Sequence, residues 1–381
     1  MAFGCADFGI VLGIVFLSLA AGVTWLSLRV LSMLALDYKD ANPSFYSVSA
    51  AILPRAKWVL DAALVINCFG GNIAFVQIIG KLMSDGLMAM IKWDTATISL
   101  SSVSLIIQAC VLVMLAPLCM MKEITSTKIA NMVGLGCIAY IFVMTFFYTP
   151  CTELSTDMLK PGNIIATFSA FPTFIFAYAC QQNIFSISNE MKDVSLKKLN
   201  VVATASVLTG FAVYLPLMLF PFMTFGYGID SSYLYNLTTE EGGTPGPVIV
   251  AYIFASLSVS ISYVLLLHPV RNSVMSLVFG ANQPTGKKEK TIRMALVSVL
   301  MLISFGVAIA LGKNLGLPIN LAGLLGGNTM CFVMPFILYL TKYGFNKKSP
   351  FSVAIVCTLV FCFLLYPICL TGIIYKQVNK A

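Results

Sequence analysis

Long apolar stretches separated by short polar segments dominate the sequence. A bilayer hydrocarbon core about 30 Å thick is crossed by a helix of about 20 apolar residues. Ten stretches of roughly that length follow one another along the chain. They cover residues 8–35, 57–83, 98–120, 127–148, 163–187, 199–223, 246–268, 291–311, 317–341 and 351–375. The pattern predicts an all-α polytopic membrane protein in which residues 1–381 form a single transmembrane domain.

The composition agrees with a lipid environment. Of the 381 residues, 59% are hydrophobic and only 10% are charged, whereas soluble domains carry about 25% charged residues. The net charge of +8 does not indicate nucleic acid binding, because the basic residues are spread over short loops. The 11 cysteines show no metal-ligand spacing. No P-loop, zinc-protease motif or nucleophile elbow is present, so we predict neither a cofactor nor an enzyme.

The charges in the loops predict an orientation, because Lys and Arg are retained on the cytoplasmic side of a membrane. Loops are numbered here from the first apolar stretch. The odd-numbered loops carry most of the basic residues, including Lys192, Lys197, Lys198, Lys287, Lys288 and Lys290. The even-numbered loops hold little beyond Lys92, Lys160 and Lys313. We therefore expect the odd loops to be cytoplasmic and the chain to begin on the opposite side.

One even-numbered loop, residues 224–245, carries a modification pattern that agrees with this orientation. Asn236 begins an Asn-Leu-Thr triplet, which is an N-glycosylation acceptor on the non-cytoplasmic side. A start on that side without a signal sequence is unusual. It leads us to expect a further helix before residue 1, with residues 1–7 as its end.

Polar residues and helix breakers inside the apolar stretches mark candidate binding sites. Transporters bind their solutes where helices are discontinuous near the bilayer midplane. In the fifth stretch, Pro172 removes one helical hydrogen bond, and Ser169, Thr173 and several aromatic rings flank it. The sequence predicts a substrate-binding break at this point, with a simple proline kink as the alternative.

The second stretch contains a cluster of small and polar residues: Asn67, Gly70, Gly71 and Asn72. Paired glycines allow another backbone to approach closely, and buried amides need hydrogen-bonding partners. Helix packing and a substrate-lining role fit this pattern equally well. Asp61 lies near the end of the same stretch, where an interfacial charge fits better than a proton carrier.

The seventh stretch carries alternating serines, among them Ser258 and Ser262. Their hydroxyls are candidate ligands for a small coupling cation, because hard cations prefer oxygen. The alternative is a hydrogen bond to the carbonyl four residues earlier in the same helix. His268, the single histidine, lies at the end of this stretch, where a structural role fits better than proton handling.

Two runs resemble signatures of the amino acid/auxin permease family. Residues 176–183, continuing to residues 188–191, resemble the signature of its sixth helix, although Gln181 and Ser188 stand where His and Tyr are usual. Residues 268–273 resemble the Pro-x-Arg motif that closes its eighth helix. A third run, 324–335, resembles its glycine-rich tenth helix.

This resemblance implies an APC-superfamily (LeuT-like) fold of eleven helices, arranged as two inverted five-helix repeats plus one. The ten stretches would be helices two to eleven, so that the chain lacks helix one. The resemblance places Ser262 at a sodium-ligand position and four residues at the break of the sixth helix: Ser169, Phe171, Thr173 and Phe174. Tyr178 and Gln181, which belong to the signature, complete the candidate substrate residues of this helix.

These features predict a secondary transporter that moves amino acids by alternating access, coupled to H⁺ or Na⁺. No acidic residue lies in the middle of the predicted break, which favours neutral amino acids. A membrane sensor that binds without transport and an inactive truncated paralogue are the alternatives. The expected partners are the amino acid and the lipid bilayer, with no nucleic acid, and the oligomeric state stays open. The plasma membrane and the lysosomal or vacuolar membrane both fit as locations.

Overall fold

The computed structural model describes residues 2–39, 44–91, 100–121, 127–150, 156–160, 164–230, 232–237, 244–279, 284, 286–312 and 314–378. Lys92, Lys313 and Thr238 of the acceptor triplet lie outside them.

Helices make up nearly all of the described structure, and no strand occurs in the ranges given above. In chain order they are α1 (Ala2–Asp37), α2 (Phe45–Ile52), α3 (Lys57–Ile91), α4 (Leu100–Met120), α5 (Thr127–Tyr148), α6 (Ile164–Ala177), α7 (Asn183–Glu190), α8 (Leu196–Phe225), α9 (Gly246–Phe279), α10 (Gly286–Leu311), α11 (Gly316–Leu321), α12 (Met334–Tyr343) and α13 (Pro350–Val378). A π-helical segment, Ala322–Val333, joins α11 to α12 without interruption.

Within the described ranges, nine helical spans are long and apolar enough to cross a membrane, with α11 to α12 counted as one span. They match nine of the ten predicted stretches. The remaining stretch, residues 163–187, is divided between the shorter helices α6 and α7. The prediction of an all-α polytopic membrane protein is confirmed.

Helix α1 contains a kink close to its start. Gly9 has φ +69° and ψ 172°, which separates residues 2–8 from the long helix that follows. A Cβ at this position would lie 2.4 Å from the carbonyl oxygen of Lys160. Only glycine combines this left-handed backbone with so close an approach.

The helix packing repeats with an offset of five spans. Helix α1, the first span, packs mainly on α8, the sixth, and α3, the second, packs mainly on α9, the seventh. Helix α5, the fourth span, contacts α9, the seventh. Shifted by five spans, this pair corresponds to the ninth span and the second, and the π-helical segment of the ninth span does contact α3. An offset by an odd number of spans reverses the direction of every helix. This arrangement is the one expected of two inverted five-helix repeats.

The spans differ in how deeply they are buried. In the most apolar 18-residue segment of each span, the buried share of residues is 78% for α11–α12 and 56% for α3. The corresponding share is only 17% for α4, α5 and α8. The outer helices expose large apolar side chains such as Val113, Met114 and Phe147. An exposed apolar surface of this extent suits lipid and not water. The helices α3, α6 and α11 to α12 therefore form the centre of the bundle.

Candidate functional site

The interruption between α6 and α7 lies at residues 178–182, later in the chain than predicted. Helix α6 continues through Pro172 to Ala177, so the expectation of a break at Pro172 is wrong. Membrane helices accommodate proline because only one hydrogen bond is lost and neighbouring groups replace it. Tyr178 and Gln181, two of the predicted site residues, lie within the observed interruption.

Side chains take over backbone hydrogen bonds at this interruption. The Cys180 amide donates to the side-chain Oε1 of Gln181 at 2.9 Å. The Tyr214 hydroxyl, from α8, donates to the carbonyl of Ala177 at 3.1 Å. Because every buried backbone group needs a partner in a membrane, these two side chains stabilise the unwound backbone.

The interruption also presents buried polar atoms without a hydrogen-bond partner in the described part of the chain. They are the Tyr178 hydroxyl, Nε2 of Gln181 and Oε1 of Gln182. An unpaired polar atom in an apolar interior is costly, by about 1–3 kcal/mol. Such atoms are available to a polar solute or to water.

Glycines bring α3, α6 and the π-helical segment into direct backbone contact. A Cβ at Gly323 would lie 2.1 Å from the carbonyl oxygen of Pro172, and one at Gly326 would lie 2.4 Å from the amide nitrogen of Asn67. Gly70 lies against Ala322, and Gly71 lies against the Phe176 ring. The geometry of the glycine pair in α3 is thus that of helix packing, and its role as a substrate lining stays a prediction.

Two asparagines of α3 are buried with unpaired amide atoms. Asn67 is 3% exposed and Asn72 is fully buried. Oδ1 of Asn67 and both amide atoms of Asn72 find no hydrogen-bond partner within the described ranges. The substrate role predicted for them is untested, and their unpaired atoms agree with it.

A cavity of about 250 Å³ lies beside α6. Ser169, Thr173 and Phe174, three of the residues predicted for the substrate site, line it on one side. The start of α1, the segment 314–320 and the end of α13 line the remaining sides. Phe171 lies in an aromatic cluster below, with its ring 4.9 Å from that of Phe16. The cavity is small compared with drug-binding pockets of about 300–1,000 Å³.

Polar side chains from α1, α6, the segment 314–320 and α13 line the cavity. The Thr173 hydroxyl donates to Oδ1 of Asn320 at 2.6 Å. The Asn314 side chain donates to Oε1 of Gln377 at 3.0 Å. Asp7 and Lys376 form an ion pair whose side chains are 20% and 21% exposed. The cavity thus combines hydroxyl, amide and both signs of charge in a small volume.

One of the two predicted cation ligands, Ser262, bonds within its own helix. The Ser262 hydroxyl donates to the carbonyl of Ser258 at 2.9 Å. Ser256 donates in the same way to Tyr252 at 2.8 Å. This bond uses the hydroxyl hydrogen and leaves the oxygen lone pairs open. Cation binding by Ser258 and Ser262 therefore stays a prediction.

Asp61 ties α3 to α9 at the end of the bundle remote from the cavity. Ser273 donates to Oδ1 of Asp61 at 3.0 Å, and Ser276 donates to Oδ2 at 3.4 Å. These bonds between two helix ends agree with the predicted interfacial charge. On the same turn of α9, the Arg271 guanidinium lies 2.7 Å from Nε2 of His268, in agreement with the structural role predicted for the histidine.

Sequence reasoning missed the charged pair of the cavity. Asp7 and Lys376 are separated by 369 positions, so no local pattern relates them. Asp7 nevertheless stands alone as an acid in residues 1–36. An ionisable residue next to an apolar span is by itself a functional hypothesis, and that signal was available.

The family of the chain follows from comparison with known proteins. The sequence profile of the family described as "Transmembrane amino acid transporter protein" matches residues 1–378. The chain therefore belongs to this family, which consists of multi-pass membrane transporters and not of enzymes.

Individual relatives carry transporter names. Vacuolar amino acid transporter 6 of Saccharomyces cerevisiae is 24% identical over 287 residues, which are 73% of this chain and 62% of that protein. Vacuolar amino acid transporter 5 of Schizosaccharomyces pombe is 24% identical over 346 residues, 89% of this chain and 79% of that protein. Sodium-coupled neutral amino acid transporter 7 of Rattus norvegicus is 27% identical over 311 residues, which are 77% of this chain and 64% of that protein. The chain thus spans less than two thirds of the first and third of these relatives.

Proposed function

We propose that this protein transports amino acids across a membrane by alternating access, coupled to an ion gradient. One observation carries the proposal: the interrupted helix α6–α7 lies beside a polar-lined cavity, in a chain of the amino acid transporter family. Three residues predicted for the substrate site from sequence, Ser169, Thr173 and Phe174, face that cavity. The unpaired atoms of Tyr178 and Gln181 supply further hydrogen-bonding groups nearby in the chain.

The substrate class that the residues favour is a neutral amino acid. The lining contributed by α6 is made of hydroxyls and apolar side chains. The charges of the lining are paired, Asp7 with Lys376 and Asp230 with Lys81. A name among the relatives, sodium-coupled neutral amino acid transporter 7, points to the same class. The names of the fungal relatives favour a vacuolar or lysosomal membrane over the plasma membrane.

Uptake into proteoliposomes tests the proposal. The purified chain is reconstituted and offered radiolabelled leucine under an imposed Na⁺ gradient, an imposed pH gradient, or neither, with protein-free liposomes as the control. We expect uptake that a gradient drives above equilibrium and that an ionophore abolishes. Binding without uptake would favour a sensor instead, and absence of both would favour the inactive paralogue.

The same assay addresses the coupling ion. If Na⁺ is bound at Ser262, the variant Ser262→Ala loses most of the Na⁺-driven uptake and keeps its thermal stability, because a serine back-bond contributes little to a helix. Ser256→Ala is the matched control, since Ser256 makes the same kind of bond to its own helix. Uptake driven by a pH gradient alone, and unaffected by either variant, would indicate proton coupling.

A further inference from the structure

The ion pair between Asp7 and Lys376 joins the start of α1 to the end of α13 and forms part of the cavity lining. Both side chains are about four-fifths buried, and Lys376 Nζ also lies 5.2 Å from the centre of the Phe3 ring. Burying two charges is costly, and their attraction roughly offsets that cost only while they remain paired. Each of the two charges therefore needs a partner of opposite sign, and a ligand that carries both signs can supply these partners when the ion pair opens.

The cavity lining also contains apolar side chains. Phe8 and Phe174 are fully buried, with their ring centres 5.6 Å apart, so they close the wall without offering a contact surface. Phe3 and Leu317 are only partly buried and line the same cavity. The cavity therefore combines a charged pair with accessible apolar side chains.

We propose that this cavity recognises a zwitterionic amino acid with an apolar side chain by exchanging partners with the Asp7–Lys376 pair. The α-carboxylate of the ligand pairs with Lys376, its α-ammonium pairs with Asp7, and its side chain lies against Phe3 and Leu317. The inference rests on the proposed transport function and adds the substrate class and the two residues that select it.

The exchange explains the selectivity by charge balance. A zwitterion brings one charge of each sign, so that both protein charges keep a partner when their pair opens. An amine or a carboxylic acid brings one charge and leaves Asp7 or Lys376 buried without a partner, which is strongly unfavourable. A charged side chain would add an unpaired charge against the apolar side chains of the lining. The volume of about 250 Å³ suits a ligand smaller than a drug-sized molecule.

Ligand analogues combined with single variants test the proposal in the full chain, reconstituted in lipid nanodiscs. The probe is radiolabelled leucine, with 4-methylpentanoate (no amine) and 3-methylbutylamine (no carboxylate) as competitors. In the wild type we expect leucine to bind and both analogues to compete at least 10-fold more weakly. Asp7→Asn should weaken leucine binding about 10- to 100-fold, as expected for a lost charged hydrogen bond, and tighten the binding of 4-methylpentanoate, because no Asp7 carboxylate is then left without a partner. Lys376→Met should weaken leucine binding in the same way and tighten the binding of 3-methylbutylamine.

The double variant Asp7→Lys with Lys376→Asp separates recognition from a structural role. The swap re-forms the ion pair, so thermal stability should return towards the wild-type value, whereas the polarity facing the ligand is reversed and leucine affinity should stay low. Asp37→Asn is the matched control, because Asp37 pairs with Lys342 at 2.6 Å at the other end of α1. We expect that variant to bind leucine like the wild type.

The outcomes distinguish this inference from the transport proposal. Recovery of leucine affinity in the swapped variant, or equal losses for leucine and both analogues, would overturn the exchange and leave only a structural ion pair. Uptake of leucine that Asp7→Asn leaves unchanged would overturn the inference and leave transport standing. Absence of both leucine binding and uptake in the wild type would overturn both.

Discussion

At the scale of single residues, Arg271 shows what a motif residue does in this fold. Arg271 is 2% exposed. It donates to the carbonyl oxygens of Cys119 at 3.3 Å and Met121 at 2.7 Å. Cys119 lies in the last turn of α4 and Met121 directly follows that helix, where carbonyls would otherwise be unsatisfied and a cation also complements the helix dipole. The Pro-x-Arg resemblance thus has a structural basis that joins α9 to α4.

We expect Arg271→Met to destabilise the protein, because it removes a charged donor and leaves buried carbonyls unpaired. Hydrogen bonds to charged groups contribute about 1.5–3 kcal/mol, so the thermal midpoint in detergent should fall by several degrees. The thermal midpoint of Arg271→Lys should fall less, since an ammonium can still reach one carbonyl. Lys198→Met is the control: Lys198 also donates to two backbone carbonyls, those of Lys192 and Asp193, but at an exposed position, where water can replace the lost bonds. Equal losses in Arg271→Met and Lys198→Met would contradict this role.

Residue chemistry also limits what sequence alone could predict of the site. Ser169, Thr173 and Phe174 were identified because a proline and aromatic rings stood beside them, and they do line the cavity. Asp7 and Lys376 were missed because the contact that defines them joins opposite ends of the chain. Their pairing depends on which helices become neighbours in the folded bundle, and a local sequence pattern does not carry that information.

At the scale of helices, hydropathy predicted the elements well and their interruption poorly. The ten apolar stretches recur as nine spans and the pair α6–α7, because the length of an apolar run is set by the bilayer itself. The position of the interruption depends on the Gln181 amide and on the Tyr214 hydroxyl from α8. Proline was a misleading signal because its effect is confined to one turn, whereas unwinding needs partners for several backbone groups.

Helix packing at the centre of the bundle yields a prediction for Gly323→Ala. The new methyl would lie 2.1 Å from the Pro172 carbonyl oxygen, and a backbone atom on another helix cannot move aside cheaply. Overpacking of this kind costs about 1–3 kcal/mol, so we expect a clearly lower melting temperature in detergent. Gly306→Ala is the control, since a Cβ there meets no atom within 4 Å and should stabilise α10 by about 0.5–1 kcal/mol. A Gly323→Ala variant that melts like the wild type would contradict the close contact.

At the scale of the whole molecule, the predicted orientation and the cavity concern the same side of the bundle. Asp230 lines the cavity and lies in the segment that follows α8, within the even-numbered loop that carries Asn236. Lys81 of α3 pairs with Asp230 at 3.5 Å, and the Tyr252 hydroxyl donates to the Leu234 carbonyl at 2.8 Å. If the loop charges set the orientation, the cavity opens to the non-cytoplasmic side, which is the lumen in a vacuolar or lysosomal membrane.

Glycosylation during synthesis tests that orientation. The Asn236 side chain accepts from the Asp230 amide at 2.8 Å and donates to the Gly228 carbonyl at 3.1 Å. A glycan must therefore be added during insertion, before these bonds form. Translation with microsomes should give a product that endoglycosidase shortens, and Asn236→Gln should abolish the shift.

A second acceptor on the opposite side supplies the matched control for this experiment. Asn42-Pro43-Ser44 lies in the first odd-numbered loop, and its central proline prevents glycosylation. Pro43→Ala creates an acceptor there, which should stay unmodified in the Asn236→Gln background if the loop is cytoplasmic. Modification at Asn42 with none at Asn236 would invert the orientation. The cavity, with Asp7 and Lys376 in its lining, would then open to the cytoplasm, and the amino acid would be recognised on that side of the membrane.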